Sequence, residues 1–268
     1  MYPIFNIFDR TVGSYAVCAV TGFIVCGILA WRLGKRIDLA FEDILLILAA
    51  AVAGLLLGGH ILYGITNIGG VVDTLNKISD CGFKETLKRL SMYFGGSVFY
   101  GGFIGGTFSL LIYARVSKSV DTADVMDIWA VSVPLFHAFG RVGCFLGGCC
   151  YGVESHIGFI ANGNYLVPEL NGVRRFPTAL VEAVCNLCIF AVLFILTHKN
   201  ILRGKRIYIY MLIYAPVRFL LEFLRGDKVR GFVLGLSTSQ WISIMLVVFC
   251  ILRLYKARKH GKFCVLRQ

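Results

Sequence analysis

Seven apolar runs dominate this 268-residue chain and restrict the folds open to it. A helix needs about 20 apolar residues to cross the hydrocarbon core of a bilayer, and most of the runs reach that length. They lie at Thr11–Trp31, Ile44–Thr66, Met92–Ala114, Val125–Gly140, Ala179–Thr197, Ile207–Leu224 and Val233–Leu252. We therefore expect an all-α polytopic membrane protein with seven transmembrane helices, forming a single domain over residues 1–268.

Composition agrees with this class. The chain is 57% hydrophobic and only 16% charged, whereas soluble domains carry about 25% charged residues. In a soluble protein the net charge of +12 would suggest a nucleic-acid partner. Here the basic residues adjoin the apolar runs, where they orient helices and meet anionic lipid. We expect no nucleic-acid partner.

The basic residues also predict an orientation. Fifteen of the 27 Lys and Arg residues lie in Arg32–Arg36, Arg115–Lys118, Lys199–Arg206 and the tail after Leu252. Seven crossings place these four segments on one face, and short basic segments stay in the cytoplasm. The N terminus is then outside and the C terminus cytoplasmic. The longest outer connection, residues 151–177, is predicted to form a small extracytoplasmic cap.

An arginine and a histidine lie where the fourth apolar run ends. An Arg at the centre of a membrane helix costs about 2.5–3.5 kcal/mol, so Arg141 calls for a compensating group such as an anionic ligand. His137 is four residues earlier and therefore shares a helix face with Arg141. Alone, His137 is better explained as a packing histidine. Beside Arg141 it becomes a candidate site residue.

A second charged group lies in the sixth run. At 100° per residue, Arg218, Glu222 and Arg225 fall within about 60° of one another on a helix. One carboxylate cannot neutralise two guanidiniums, so this stripe predicts a net positive charge suited to an anionic ligand. The alternative is a purely structural ion pair.

Glycines and cysteines supply weaker signals. Overlapping G-x-x-x-G patterns follow Tyr100 and indicate close helix packing, although the Tyr100-Gly-Gly step would also suit contact with a substrate. The one cysteine cluster, Cys144, Cys149 and Cys150, lacks the regular ligand spacing of a metal site. We expect no metal and no organic cofactor.

Together these motifs resemble those of the prolipoprotein diacylglyceryl transferase family. Residues 140–145 and Gly152 fit the family signature G-R-x-G-N-F-x-N-x-E-x-x-G, with Cys144 in place of its first asparagine. Residues 218–225 fit the family element R-F-x-x-E-F-x-R. Weaker matches to other family elements lie at Tyr15, Tyr100-Gly101-Gly102, Phe176-Pro177-Thr178 with Glu182, and Ser237-Thr238-Ser239-Gln240.

Several positions depart from the family pattern. Cys144 and Gly147 stand where the family has asparagines, and Cys149 replaces the signature glutamate. Tyr100 replaces a histidine that is usually assigned an essential role, and His60 occupies a position that is often arginine. The chain therefore resembles a divergent branch of the family.

The resemblance implies a reaction and a set of site residues. The diacylglyceryl group of phosphatidylglycerol would pass to the cysteine thiol of a prolipoprotein lipobox, releasing glycerol phosphate, in the bacterial cytoplasmic membrane. Arg141 and Arg218 would bind the phosphate, and His137 or Tyr100 would serve as the base. The expected substrate-binding residues are Tyr15, His60, Gly101, Gly102, Glu182, Glu222, Arg225 and Gln240.

Two other functions stay open. One is a transferase that keeps the phospholipid site but uses another acceptor. The second is a non-catalytic lipid-binding or transport protein, since glycine-rich helices and intramembrane charges also occur in transporters. The two halves of the sequence show no inverted repeat, which counts against transport.

Overall fold

The computed structural model describes residues 3–7, 10–78, 82–227 and 232–259, and most of them are helical. The helices are α1 (Ser14–Lys35), α2 (Phe41–Thr66), α3 (Ile68–Asn76), α4 (Phe83–Tyr93), α5 (Phe99–Val116), α6 (Thr122–Gly147), α7 (Thr178–His198), α8 (Arg206–Glu222) and α9 (Thr238–Lys259). The strands form antiparallel pairs: β1 (Ile4–Ile7) with β2 (Arg10–Gly13), β3 (Glu154–Ile160) with β4 (Arg174–Arg175), and β5 (Phe232–Val233) with β6 (Leu236–Ser237). The last nine residues of the predicted cytoplasmic tail lie outside the described residues.

Five helices in the described part of the chain are long and apolar enough to cross a membrane: α1, α2, α6, α7 and α9. The chain is thus a mostly helical, multi-pass membrane protein. The third and sixth apolar runs correspond to α5 and α8, which have 18 and 17 residues. Helices of these lengths span about 27 and 26 Å, close to the roughly 30 Å of a hydrocarbon core.

Two helix boundaries differ from the sequence prediction. The third run begins at Met92, but α4 ends at Tyr93 and α5 begins at Phe99. The intervening Gly95 and Gly96 favour a turn over a continuous helix. The fourth run ends at Gly140, yet α6 continues to Gly147 and stops where Gly148 adopts a φ of +80°. Arg141 therefore lies inside the helix.

The described residues divide into two compact units. One comprises residues 30–126, and in it α2 and α5 cross at glycines. A Cβ on Gly105 would collide with the carbonyl oxygen of Gly54, and one on Gly101 would collide with that of Gly58. These contacts confirm that the G-x-x-x-G patterns serve close helix packing.

The other unit comprises residues 1–29 and 127–268. Within it, glycines let α1 lie against α6. A Cβ on Gly22 would lie 2.8 Å from the Cβ of Phe139, and one on Gly143 would lie 3.1 Å from the Cα of Tyr15. Helices α8 and α9 pack together, and α7 packs against α8.

Residues 151–177 connect α6 to α7 and contain the β3–β4 hairpin. The Tyr151 hydroxyl donates a 2.8 Å hydrogen bond to Oε1 of Glu169. This bond raises the pKa of Tyr151, because the carboxylate stabilises the protonated phenol. The guanidinium of Arg175 lies 4.9 Å above the Tyr151 ring. The segment is therefore a structured insertion between α6 and α7.

Candidate functional site

A buried ion pair joins α6 to α7. Nε of Arg141 lies 3.1 Å from Oε2 of Glu182. Arg141 is 9% exposed and Glu182 is 1% exposed. Removing a charge from water is costly unless it is paired, and Glu182 supplies the opposite charge to Arg141.

His137 and Tyr214 complete this cluster. Arg141 Nε donates a 3.2 Å hydrogen bond to Nε2 of His137, which makes Nε2 the unprotonated nitrogen of a neutral imidazole. The Tyr214 hydroxyl donates a 2.7 Å bond to Oε1 of Glu182, and the Tyr214 ring meets the His137 ring edge-on at 5.0 Å. Three helices, α6, α7 and α8, therefore contribute to one polar cluster.

A second buried ion pair lies on α8. Nη1 of Arg218 lies 2.7 Å from Oε2 of Glu222, and its Nη2 donates a 3.3 Å bond to Oγ of Ser239 on α9. Arg218 also interacts electrostatically with Glu182. The two ion pairs thus belong to one charged site, formed by α6 to α9.

Arg225 does not share the helix face of Arg218 and Glu222, so the predicted three-residue stripe is wrong. Helix α8 ends at Glu222, and the backbone of Arg225 instead pairs with Gly152. Its Nε and Nη2 bond to the two carboxylate oxygens of Asp227 at 3.1 and 2.7 Å. The predicted surplus of positive charge is absent too, because each arginine named here has its own carboxylate.

Three sequence motifs meet at Gly152, the last residue of the first signature. A Cβ there would collide with the Phe176 carbonyl oxygen and would lie 3.0 Å from that of Leu224. The Thr178 hydroxyl donates to the same Leu224 oxygen at 3.1 Å. The absence of a side chain at Gly152 lets the segments that carry Arg141, Glu182 and Arg218 approach one another.

Gln240 and Tyr15 lie in the same unit as this cluster. The Gln240 side chain accepts a 2.9 Å bond from the backbone N–H of Ser237 and is 2% exposed, so it holds the start of α9 in place beside Ser239. Tyr15 is 53% exposed at the start of α1 and interacts electrostatically with Arg141.

The remaining predicted site residues lie in the unit of residues 30–126. Nδ1 of His60 lies 2.7 Å from the Phe94 carbonyl oxygen and 2.8 Å from that of Gly96, so Nδ1 carries a proton and holds the turn before α5. Tyr100 is in the first turn of α5. Gly101 and Gly102 pack against α2, which accounts for both glycines without a substrate.

Sequence reasoning did not select Tyr214 or Ser239. Tyr214 precedes Arg218 by four residues and so shares its helix face, a signal that was available in the sequence. Ser239 lies beside Gln240 within a recognised motif, but nothing in its spacing indicates contact with Arg218. Glu182 was indicated only by the family resemblance, because its partners lie far away in the sequence.

The geometry suits an anion with a phosphate group. Across the described ranges, every short polar contact of Arg141 runs through Nε, which leaves its two Nη groups available as donors. A planar guanidinium can donate two parallel hydrogen bonds to two oxygens of one phosphate group. Held at its Nε edge, Arg141 presents the opposite edge to a ligand.

Comparison with known proteins points to one family. The sequence model of the prolipoprotein diacylglyceryl transferase family matches residues 3–256. A phosphatidylglycerol–prolipoprotein diacylglyceryl transferase of Clostridium tetani is 31% identical and is aligned over 94% of this chain and 96% of its own length. The corresponding transferase 2 of Clostridium perfringens is 33% identical, over 95% and 94%. That of Streptococcus pneumoniae is 30% identical, over 94% and 92%.

Proposed function

Because the chain belongs to the prolipoprotein diacylglyceryl transferase family, we propose that it transfers the diacylglyceryl group of phosphatidylglycerol to the lipobox cysteine of a prolipoprotein. The observation that supports this best is Arg141, buried beside Glu182 with its two Nη groups available to a phosphate. The full-length relatives carry the name of this activity.

The reaction forms one bond and breaks one. The acceptor sulfur, as a thiolate, attacks a glycerol carbon of phosphatidylglycerol and forms a C–S bond. The C–O bond to the phosphate breaks, and its electron pair leaves with glycerol phosphate. Arg141 and Arg218 bind the phosphate and stabilise the charge that develops on it, while Glu182 and Glu222 hold the two guanidiniums in place.

His137 is our proposed base. Its Nε2 is unprotonated, with its lone pair accepting the bond from Arg141, and Oε1 of Glu182 lies 3.7 Å away. To act as the base, Nε2 must exchange the Arg141 bond for one from the acceptor thiol. A carboxylate at that distance stabilises the imidazolium that forms when the thiol proton is taken. Tyr100 is the alternative, but a phenol ionises less readily at neutral pH.

Substrate binding extends beyond the two arginines. We assign the acceptor and glycerol ends of the site to Tyr15, Arg225 and Gln240. Tyr15 and Arg225 interact electrostatically with Arg141. Gln240 is next to Ser239, which accepts a hydrogen bond from Arg218. For the other unit the proposal keeps His60, Gly101 and Gly102 as substrate-binding positions. Because these residues also hold α5 against its neighbours, a substitution there would change both the stability of the fold and substrate binding.

The proposed arrangement in the membrane has seven crossings in a single domain, with α5 and α8 as the two shorter spans. The N terminus is outside and the C terminus is in the cytoplasm of a bacterial cell. Residues 151–177 are an extracytoplasmic cap above α6 and α7. The basic segments between the crossings support this orientation.

Complementation tests the function. A bacterial strain depleted of its own transferase is given this chain, and the mass of a reporter lipoprotein is measured. We expect a gain of one diacylglyceryl group with the wild type. Arg141→Ala should lower the yield by about 10²–10³-fold, the usual cost of losing a preorganised donor.

Arg174→Ala, which removes an exposed arginine of the β3–β4 hairpin, is the matched control and should leave transfer unchanged. Full transfer by Arg141→Ala would contradict the phosphate assignment. An unmodified reporter, with the diacylglyceryl group recovered on another molecule, would indicate a transferase that uses another acceptor. Phosphatidylglycerol binding without any mass gain would indicate a non-catalytic lipid-binding protein.

A further inference from the structure

Three cysteine thiols meet at the C-terminal end of α6. Cys144 lies in the last turns of the helix, and Cys149 and Cys150 lie in the turn that follows. Their sulfur atoms are all within 4.8 Å of one another, and each cysteine is free of a disulfide. No step of the proposed transfer uses these thiols.

The backbone of the turn is what brings the sulfurs together. Gly148 has a φ of +80° and Cys150 a φ of +57°. The left-handed region is uncommon for any residue with a side chain. The backbone N–H of Cys149 donates a 3.0 Å bond to the Cys144 carbonyl oxygen, which folds the turn back onto the helix end. The chain thus adopts an uncommon conformation that gathers three metal-binding atoms.

The spacing of the sulfurs suits a thiophilic cation. Zinc–sulfur bonds of about 2.3 Å in a tetrahedron place the sulfurs about 3.8 Å apart. The three sulfurs here lie within 4.8 Å of one another, so a shift of about 1 Å or less brings them to that spacing. We propose that Cys144, Cys149 and Cys150 bind one Zn²⁺ through three thiolates and leave a fourth position for water or an added thiol. Three protein ligands with one open position is the arrangement of zinc sites that bind a substrate.

Access from the protein surface supports this assignment. Cys149 and Cys150 line a surface depression together with Phe145, Phe159 and Arg175. An ion and a fourth ligand can therefore reach the sulfurs from outside the protein.

The proposal replaces the sequence expectation of no metal, which rested on spacing alone. A C-x₄-C-C pattern differs from the usual zinc spacing because the third ligand comes from an adjacent residue in a positive-φ turn. Zinc binding here does not depend on the proposed transferase reaction, so either one can fail without the other.

Cobalt titration of the reduced, purified full-length protein tests the site, since Co²⁺ bound to thiolates shows a sulfur-to-metal charge-transfer absorption. We expect one Co²⁺ per chain with this absorption, and displacement by Zn²⁺. The double variant Cys149→Ser/Cys150→Ser should lose the band. The matched control Cys185→Ser/Cys188→Ser, which removes two thiols of α7, should keep it. Absence of the band in the reduced wild type, or its persistence in the first variant, would overturn the proposal.

A second measurement needs no variant. Zn²⁺ should slow the alkylation of Cys149 and Cys150 by a maleimide about tenfold, because a coordinated thiolate is a poorer nucleophile. Peptide mapping by mass spectrometry reports each cysteine separately. Equal labelling of Cys149 and Cys150 in both conditions would also overturn the proposal.

Discussion

At the scale of single residues, Glu182 organises the site. It receives a hydrogen bond from Tyr214, pairs with Arg141 and lies 3.7 Å from His137. With 1% of its surface exposed, its charge is stabilised by partners inside the protein, among them Arg218. The carboxylate therefore fixes both the proposed phosphate ligand and the proposed base.

Glu182→Gln tests this organisation. The amide keeps the shape but removes the charge, so Arg141 is left as an unpaired buried cation. We expect a loss of about 3–5 kcal/mol in stability and little remaining transfer. Thermal unfolding in detergent and the mass of a lipobox peptide measure the two effects. Glu154→Gln, in the exposed part of β3, is the control and should behave like the wild type.

Tyr214→Phe is a milder test at the same position. It removes the 2.7 Å bond to Glu182 but keeps the ring against His137. Hydrogen bonds to charged groups contribute roughly 1.5–3 kcal/mol, so turnover should fall without loss of the fold. A turnover number equal to that of the wild type would show that Tyr214 does not help to position Glu182.

At the scale of elements, the sequence predicted the positions of the helices better than the residues at which they end. Hydrophobic runs predicted where α1, α2 and α7 lie, because composition alone decides which segments enter the membrane. The conformation after α8 depends on a long-range contact instead. Helix α8 stops at Glu222, and Arg225 then pairs with the backbone of Gly152, a partner 73 positions away that helical periodicity cannot reveal.

The α2–α5 crossing gives a prediction at this scale. Gly105→Ala places a methyl group against the Gly54 carbonyl oxygen, so the helices must separate, at a cost of roughly 1–3 kcal/mol. Gly69→Ala in α3 is the matched control. A Cβ there has no heavy atom within 4 Å, so stability should be unchanged or slightly raised. Equal unfolding temperatures for the two variants would contradict close packing at this crossing.

At the scale of the whole molecule, the sequence predicted the class of protein and the family, whereas most of the site needed the structure. Two arginines were predicted from the cost of charge in a membrane. Their pairing, Arg141 with a carboxylate on α7 and Arg218 with Ser239 on α9, depends on which helices are neighbours. A local motif does not specify that neighbourhood, and so Ser239 was missed.

The proposed orientation is testable on the intact chain. Reporter enzymes that are active only outside the cytoplasm are fused after Gly163, in the segment between α6 and α7, and after Asn200, between α7 and α8. We expect activity from the first fusion and none from the second, because the basic residues of Lys199–Arg206 stay in the cytoplasm. The reverse pattern would invert the proposed topology.

The most direct test of the account is the reaction of the purified protein in vesicles. With phosphatidylglycerol and a lipobox peptide, the wild type should yield diacylglyceryl peptide and glycerol phosphate in equal amounts, and Arg174→Ala should match it. Arg218→Ala should give about 10²–10³-fold less of both products. A folded wild-type protein that binds phosphatidylglycerol but forms neither product would contradict the account.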